Sequence, residues 1–181
     1  MFTRSIAHWW TAFRLKNIVL STGCRDYKQE LSTSREYRKL FDDNELPDTY
    51  NGLMYFRYSK EAAEFFYQAE QIIKNWEHIR DKVLLNCRDD NPTTDVVYAL
   101  AARIIGVEQC TLPDADFINF VHMKPAINKW TSTPWPELVM CETDLPMIRI
   151  SNTNQYHPIH YHEKTWVTDA LVKEYEDELA R

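Results

Sequence analysis

Glycine is what most constrains this sequence. It occurs three times in 181 residues, at Gly23, Gly52 and Gly106, where ordinary usage of about 7% would supply roughly a dozen. Loops that cradle phosphates need several glycines within a few residues, because the backbone must take unusual conformations and approach the ligand closely. Three scattered glycines cannot build one, so neither a dinucleotide-binding fingerprint nor a P-loop is present. Proline is concentrated late, at Pro113, Pro125, Pro134, Pro136, Pro146 and Pro158, which makes the second half the more broken one.

Periodicity supplies the elements. Between Lys60 and Leu85, Ala62, Phe66, Ala69, Ile73, Trp76, Ile79 and Val83 recur at three-and-four spacing, which predicts one long helix with a single buried face. Ser59 stands at its N-cap, with Glu61 and Glu64 near the positive end of the helix dipole. A second helix is expected after Pro92, capped by Thr93 or Thr94, with Val96, Leu100 and Ile104 inward and a stop at Gly106. A third runs from Asp169 to about Leu179, capped by Thr168, with Leu171, Tyr175 and Leu179 on one side. Short apolar runs suit strands at Asn17–Ser21, Leu53–Arg57, Phe117–Met123, Leu138–Cys141 and Met147–Ile150. Strands interleaved with helices predict an α/β fold, a mixed sheet with flanking helices in a single domain spanning 1–181.

Composition narrows the function classes. A hydrophobic fraction of 44% with 13% aromatics is ample for a core, which excludes a disordered chain. The net charge of −6 argues against a nucleic-acid partner, which wants a basic face. No apolar run reaches the length of a membrane span, and residues 1–10 do not read as a secretory signal. Cys24, Cys87, Cys110 and Cys141 give no Cys-x-x-Cys spacing, so buried free thiols in a reducing cytoplasm are expected.

Three segments carry more polar chemistry than a core needs. Leu46–Arg57 holds Asn51-Gly52, read as a turn feeding a strand, where the Asn51 amide can meet a ligand hydroxyl; by itself Asn-Gly reads first as a tight turn. Asn91-Pro92-Thr93-Thr94-Asp95 opens a helix, where Asp95 either caps the first turn or accepts hydroxyl protons from a sugar. The third is the histidine-bearing stretch. A strand through Phe120-Val121 delivers His122 and Lys124, with Trp130 downstream. His160 and His162 alternate, so on an extended chain they share a face and could hold one metal ion. The plainer alternative is a polar network of these histidines with Tyr161 and Trp166.

In order, these segments resemble the C-terminal half of a GT-A-type glycosyltransferase, the retaining nucleotide-sugar transferases typified by glycogenin and the bacterial lipopolysaccharide galactosyltransferases. The resemblance rests on Asn51-Gly52-Leu53-Met54-Tyr55-Phe56, a long helix, Thr94-Asp95-Val96 opening another, and Phe120-Val121-His122 with Lys124 and Trp130. His160-Tyr161-His162-Glu163-Lys164-Thr165-Trp166 is a second candidate for the last motif. The resemblance implies the back half of a nucleotide-diphospho-sugar transferase fold and a divalent metal, manganese or magnesium, held by His122, His160 or His162. It implies donor contacts from Lys124, Lys164 and Trp130, catalytic roles for Asp95 and Asn51 on sugar or acceptor hydroxyls, and a carbohydrate or glycosylated acceptor. Trp135 and Trp166 are further candidates for stacking on sugar faces.

The sequence departs from the family in its front half. The family's Asp-x-Asp precedes the Asn-Gly strand at a spacing that falls at or before Met1, so a truncated or divergent relative is expected. Asp114-Ala115-Asp116 and Glu142-Thr143-Asp144 come too late and read as loop carboxylates. Two other readings stand beside transfer. One is a non-catalytic module that docks a partner chain or second copy through Trp9 and Trp10, which in a strand cannot share a face. The other is a metal-dependent hydrolase or oxygenase built on His157, His160, His162 and Glu163.

Overall fold

A computed structural model describes residues 6–112, 119–129, 139–142, 147–161, 169, 172, 173, 176, 177 and 180. The chain is mixed α/β, with parallel and antiparallel pairing. It divides into two compact units, His8–Gly23 with Ser34–Ile118, and Met1–Ala7 with Cys24–Thr33 and Asn119–Arg181.

The first unit is the more helical. Its strands β1 (Ile18–Ser21) and β3 (Tyr50–Phe56) pair antiparallel, with Ile18 opposite Phe56 and Leu20 opposite Met54. The register then jumps, so that Ser21 faces Tyr50. Asn51, Gly52 and Leu53 fall inside that irregularity. The Asn-Gly turn expected from the sequence is therefore not a turn: both residues lie within β3. A strand that bulges re-aims its side chains, and Asn51 lies in this bulge.

The long helix is two helices, α3 (Lys60–Lys74) and α4 (Trp76–Lys82). The break is Asn75, which leaves helical geometry at φ −108°, ψ 23°, while its side-chain Nδ2 donates to Gln71 O at 2.8 Å. An asparagine that bonds its own backbone competes with the helix it interrupts. Ser59 does cap α3, its Oγ accepting from the Ala62 N–H at 3.1 Å. The buried stripe is Ala62, Phe65, Ala69, Ile72 and Trp76. The expected Phe66, Ile73 and Val83 are instead largely exposed. With apolar residues at both 65 and 66 and at both 72 and 73, two stripes were available, and the helix over Thr94–Ile105 packs on one of them.

Helix α5 (Thr94–Ile105) packs against α3 and buries Val96, Val97, Ala99, Ala101 and Ala102, with Leu100 only partly covered and Ile104 exposed. Small residues on that face let the two backbones approach closely. The helix stops at Gly106, at φ +106°, a conformation that side-chain-bearing residues rarely take. Phe65 is fully buried beside Phe56 and Tyr98, which stabilises the unit by about 1.5–3 kcal/mol. Three shorter helices complete it: α1 (Trp9–Phe13), α2 (Lys39–Asp43) and α6 (Val107–Cys110).

The second unit holds two three-stranded sheets. In one, β2 (Cys24–Arg25), β4 (Phe120–Met123) and β8 (Ile159–Tyr161) run parallel with β4 central. All four residues of β4 are buried, as expected where both faces are covered. Val121, Met123 and Ile159 join Ile148 and Ile150 in its core. In the other sheet, β5 (Val139–Glu142), β6 (Met147–Ile150) and β7 (Thr153–Asn154) pair antiparallel. Ser151 and Asn152, at φ 46° and 64°, turn β6 into β7, the paired positive angles that suit a two-residue hairpin. A one-turn helix α7 (Pro125–Asn128) follows β4.

The remaining strand expectations hold to within a few residues at their ends. Cys24 and Cys110 are buried free thiols and Cys87 is a partly buried one. Asp169, Val172, Lys173, Glu176 and Asp177 are helical; the expected cap Thr168 and the stripe of Leu171, Tyr175 and Leu179 lie outside the described residues. So do Asp114-Ala115-Asp116. Among the described residues, no helix is long and apolar enough to cross a membrane.

Candidate functional site

Asp95 sits in the first turn of α5, and two residues flanking the start of β3, Thr49 and Asn51, bond to it. The Thr49 hydroxyl donates to the Asp95 carbonyl at 2.8 Å. The Asn51 N–H donates to Asp95 Oδ1 at 2.7 Å. Tyr50 lies against the guanidinium of Arg38, whose Nη2 is 3.4 Å from Asp95 Oδ2. The Asp95 side chain remains 27% exposed and Asn51 is exposed. An acid held at both oxygens and still open to solvent can accept hydrogen bonds from ligand hydroxyls. The Asp95 carboxylate is spent on the neighbouring strand and on Arg38.

The other expected residues fall in the second unit. His122 and His160 are directly opposite each other on the parallel strands β4 and β8. Their rings are 5.1 Å apart at the centroids and within 4° of parallel, with the edge of Phe120 against each. His122 is only 3% exposed. Lys124 leaves β4 at the entrance to α7, its carbonyl accepting from Asn128 Nδ2 at 2.8 Å. The same Nδ2 donates to His122 O at 2.9 Å, and Asn128 Oδ1 accepts the Tyr27 N–H at 2.9 Å. Asn128 thus ties the end of β4 to the loop after β2.

Of the expected histidines, the described ones fall in two places. His160 shares its face with His122 across the sheet. His157 turns elsewhere, its Nδ1 at 2.8 Å from Gln29 Oε1, within a network in which buried Gln155 donates to Tyr27 O and Thr153 O. His162, Glu163, Lys164 and Trp166, like Trp130 and Trp135, lie outside the described residues. Among the described residues no group of three or more His, Cys, Asp or Glu side chains converges as a metal centre; His162, the third expected ligand, is not among them.

Of the N-terminal tryptophans, Trp9 is buried and Trp10 is 49% exposed, its ring edge-on to Tyr55 and Phe13. The pair is helical, so it is the turn of α1 that sends the two rings apart. Arg38 is the residue that sequence reasoning missed. It stands in Ser34-Arg35-Glu36-Tyr37-Arg38-Lys39, a run that reads as a solvated face. Only the proximity of Tyr37 and Phe41 hinted at an aromatic surround.

Asn51 and Asp95 are brought together in one unit; His122 and His160 are brought together in the other. No protein-family model, curated protein or solved structure matches this chain.

Proposed function

We propose that this protein is a glycosyltransferase-like enzyme acting on a nucleotide-sugar donor and a carbohydrate or glycosylated acceptor. The observation that carries the reading is the hydrogen bond between Asn51 and Asp95. Two motifs 44 residues apart, singled out separately for contact with sugar hydroxyls, meet at 2.7 Å. Hydroxyl-rich ligands are positioned by carboxylates and amides that are already held in place, because the ordering cost has been met before binding.

In this reading Asp95 accepts from sugar hydroxyls while the exposed Asn51 amide offers both a donor and an acceptor. Together they orient the anomeric carbon toward the attacking oxygen. The acceptor oxygen bonds to the anomeric carbon as the C–O bond to the nucleotide breaks, the electron pair and the acceptor's hydroxyl proton both going to the departing diphosphate. The divalent ion implied by the resemblance, manganese or magnesium, would neutralise the same leaving group. No step is assigned to it.

Titration calorimetry of the full chain with UDP-sugars, with and without Mn²⁺, tests the reading. Heat of binding that disappears in Asp95→Asn supports it, and an absence of heat at millimolar ligand overturns it. That second outcome favours a non-catalytic module. The half-exposed Trp10 beside Tyr55 is the observation behind this alternative, with a partner chain or second copy covering the ring.

A further inference from the structure

Arg38 is fully buried, yet it carries a charge. Its guanidinium lies 3.6 Å from the centroid of Tyr50, 4.3 Å from that of Phe41 and 5.3 Å from that of Tyr37. None of its side-chain nitrogens hydrogen-bonds to another described residue. Among the described residues Asp95 is the one carboxylate paired with it, at 3.4 Å. A buried cation is costly to hold, and an apolar side chain of similar volume commonly fills such a place at no loss of stability. Packing therefore does not explain an arginine here. Its geometry does point in one direction, to the second oxygen of the acid whose first oxygen is taken by Asn51.

We infer that Arg38 is a positioning residue, a desolvated guanidinium clamped in an aromatic box that fixes the orientation of the Asp95 carboxylate. The three rings restrict the guanidinium plane, so the charge cannot swing away as an exposed arginine would. Thr49, Asn51 and Arg38 then hold Asp95 by its carbonyl and by each carboxylate oxygen in turn. The consequence for catalysis rests on the sugar-contact reading of Asp95; the clamp itself does not.

The test uses the full chain labelled with ¹³C at aspartate Cγ, the Asp95 resonance being identified by its loss in Asp95→Asn. In Arg38→Met this resonance is expected to move by more than its linewidth. Turnover of UDP-sugar is expected to fall about tenfold in kcat with KM changed less than about threefold, and to be partly restored in Arg38→Lys. An unmoved Asp95 resonance overturns the clamp, and unchanged kcat in a folded Arg38→Met with a moved resonance overturns its consequence for catalysis. A moved resonance in a chain whose wild type turns over no UDP-sugar supports the clamp and overturns the sugar-transfer reading instead. If Arg38→Met does not fold, Arg38→Lys serves alone. It keeps the charge but loses the planar fork, so the resonance still moves if the clamp exists and stays put if it does not.

Discussion

His122 and His160 stand face to face across the parallel strands β4 and β8, ring planes 4° apart and centroids separated by 5.1 Å. The stack joins one residue from the middle of the chain to another near its end, and the ring edge of Phe120 closes one side of both. His122→Ala removes a buried ring from a fully covered strand. The expected cost is about 2–4 kcal/mol, within the range for large-to-small core changes. The urea midpoint checks this, and an unchanged midpoint would contradict it.

Asp95 bears on stability as well as on ligand contact. Asp95→Ala leaves the buried Arg38 without its carboxylate and the Asn51 N–H without its acceptor. Breaking a buried pair from one side costs about 3–5 kcal/mol, here at the lower end because Asp95 is partly exposed. Asp95→Asn, which keeps an acceptor for Asn51, is expected to lose less. Equal midpoints for the two variants in chemical denaturation would contradict this ordering.

Asn128 makes three hydrogen bonds from a buried side chain, to His122 O, Lys124 O and the Tyr27 N–H. Asn128→Ala removes these three bonds, while Lys124 O keeps the Ile127 and Asn128 N–H groups; the cost is about 1–3 kcal/mol, less where water enters. Amide exchange of Tyr27 is the local readout. Its protection should fall by at least tenfold, the equivalent of about 1.4 kcal/mol.

Cys110 supplies a pH dependence. Burial, with Glu108 nearby, pushes its thiol up to about 12. In the unfolded chain the thiol ionises near its ordinary value while the folded one stays protonated, so the unfolded state binds fewer protons and stability falls with rising pH. The contribution is complete below about pH 9 and is lost progressively toward pH 12. Cys110→Ala should flatten this alkaline loss. At neutral pH the native Cys110 thiol should react with Ellman's reagent only as fast as the chain opens.

What was legible in the sequence is what depends on near neighbours. Ser59 caps α3 through the N–H three residues on, and Gly106 ends α5 through its own backbone angle. Both are local events that a window of a few residues contains. Asparagine 75 was the local signal passed over: its bond to Gln71 divides a helix whose apolar spacing continues through the break. The choice between Phe65 and Phe66 as the buried ring was not local at all, because only the arrival of α5 gives one stripe a surface to cover.

The residues that could do chemistry were named by type and spacing, but their grouping belongs to the tertiary structure. Asn51 meets Asp95 because a register shift between β1 and β3 brings the strand to the first turn of α5. His160 meets His122 because parallel pairing sets them in the same register. Arg38 looks like a surface charge until Tyr50 and Asp95, from distant segments, close on it beside its neighbours Tyr37 and Phe41. Local bonding and helical period are written within a few residues. Strand register, burial and the pairing of a desolvated charge arise only when distant segments close on one another, and no short stretch of sequence carries that information.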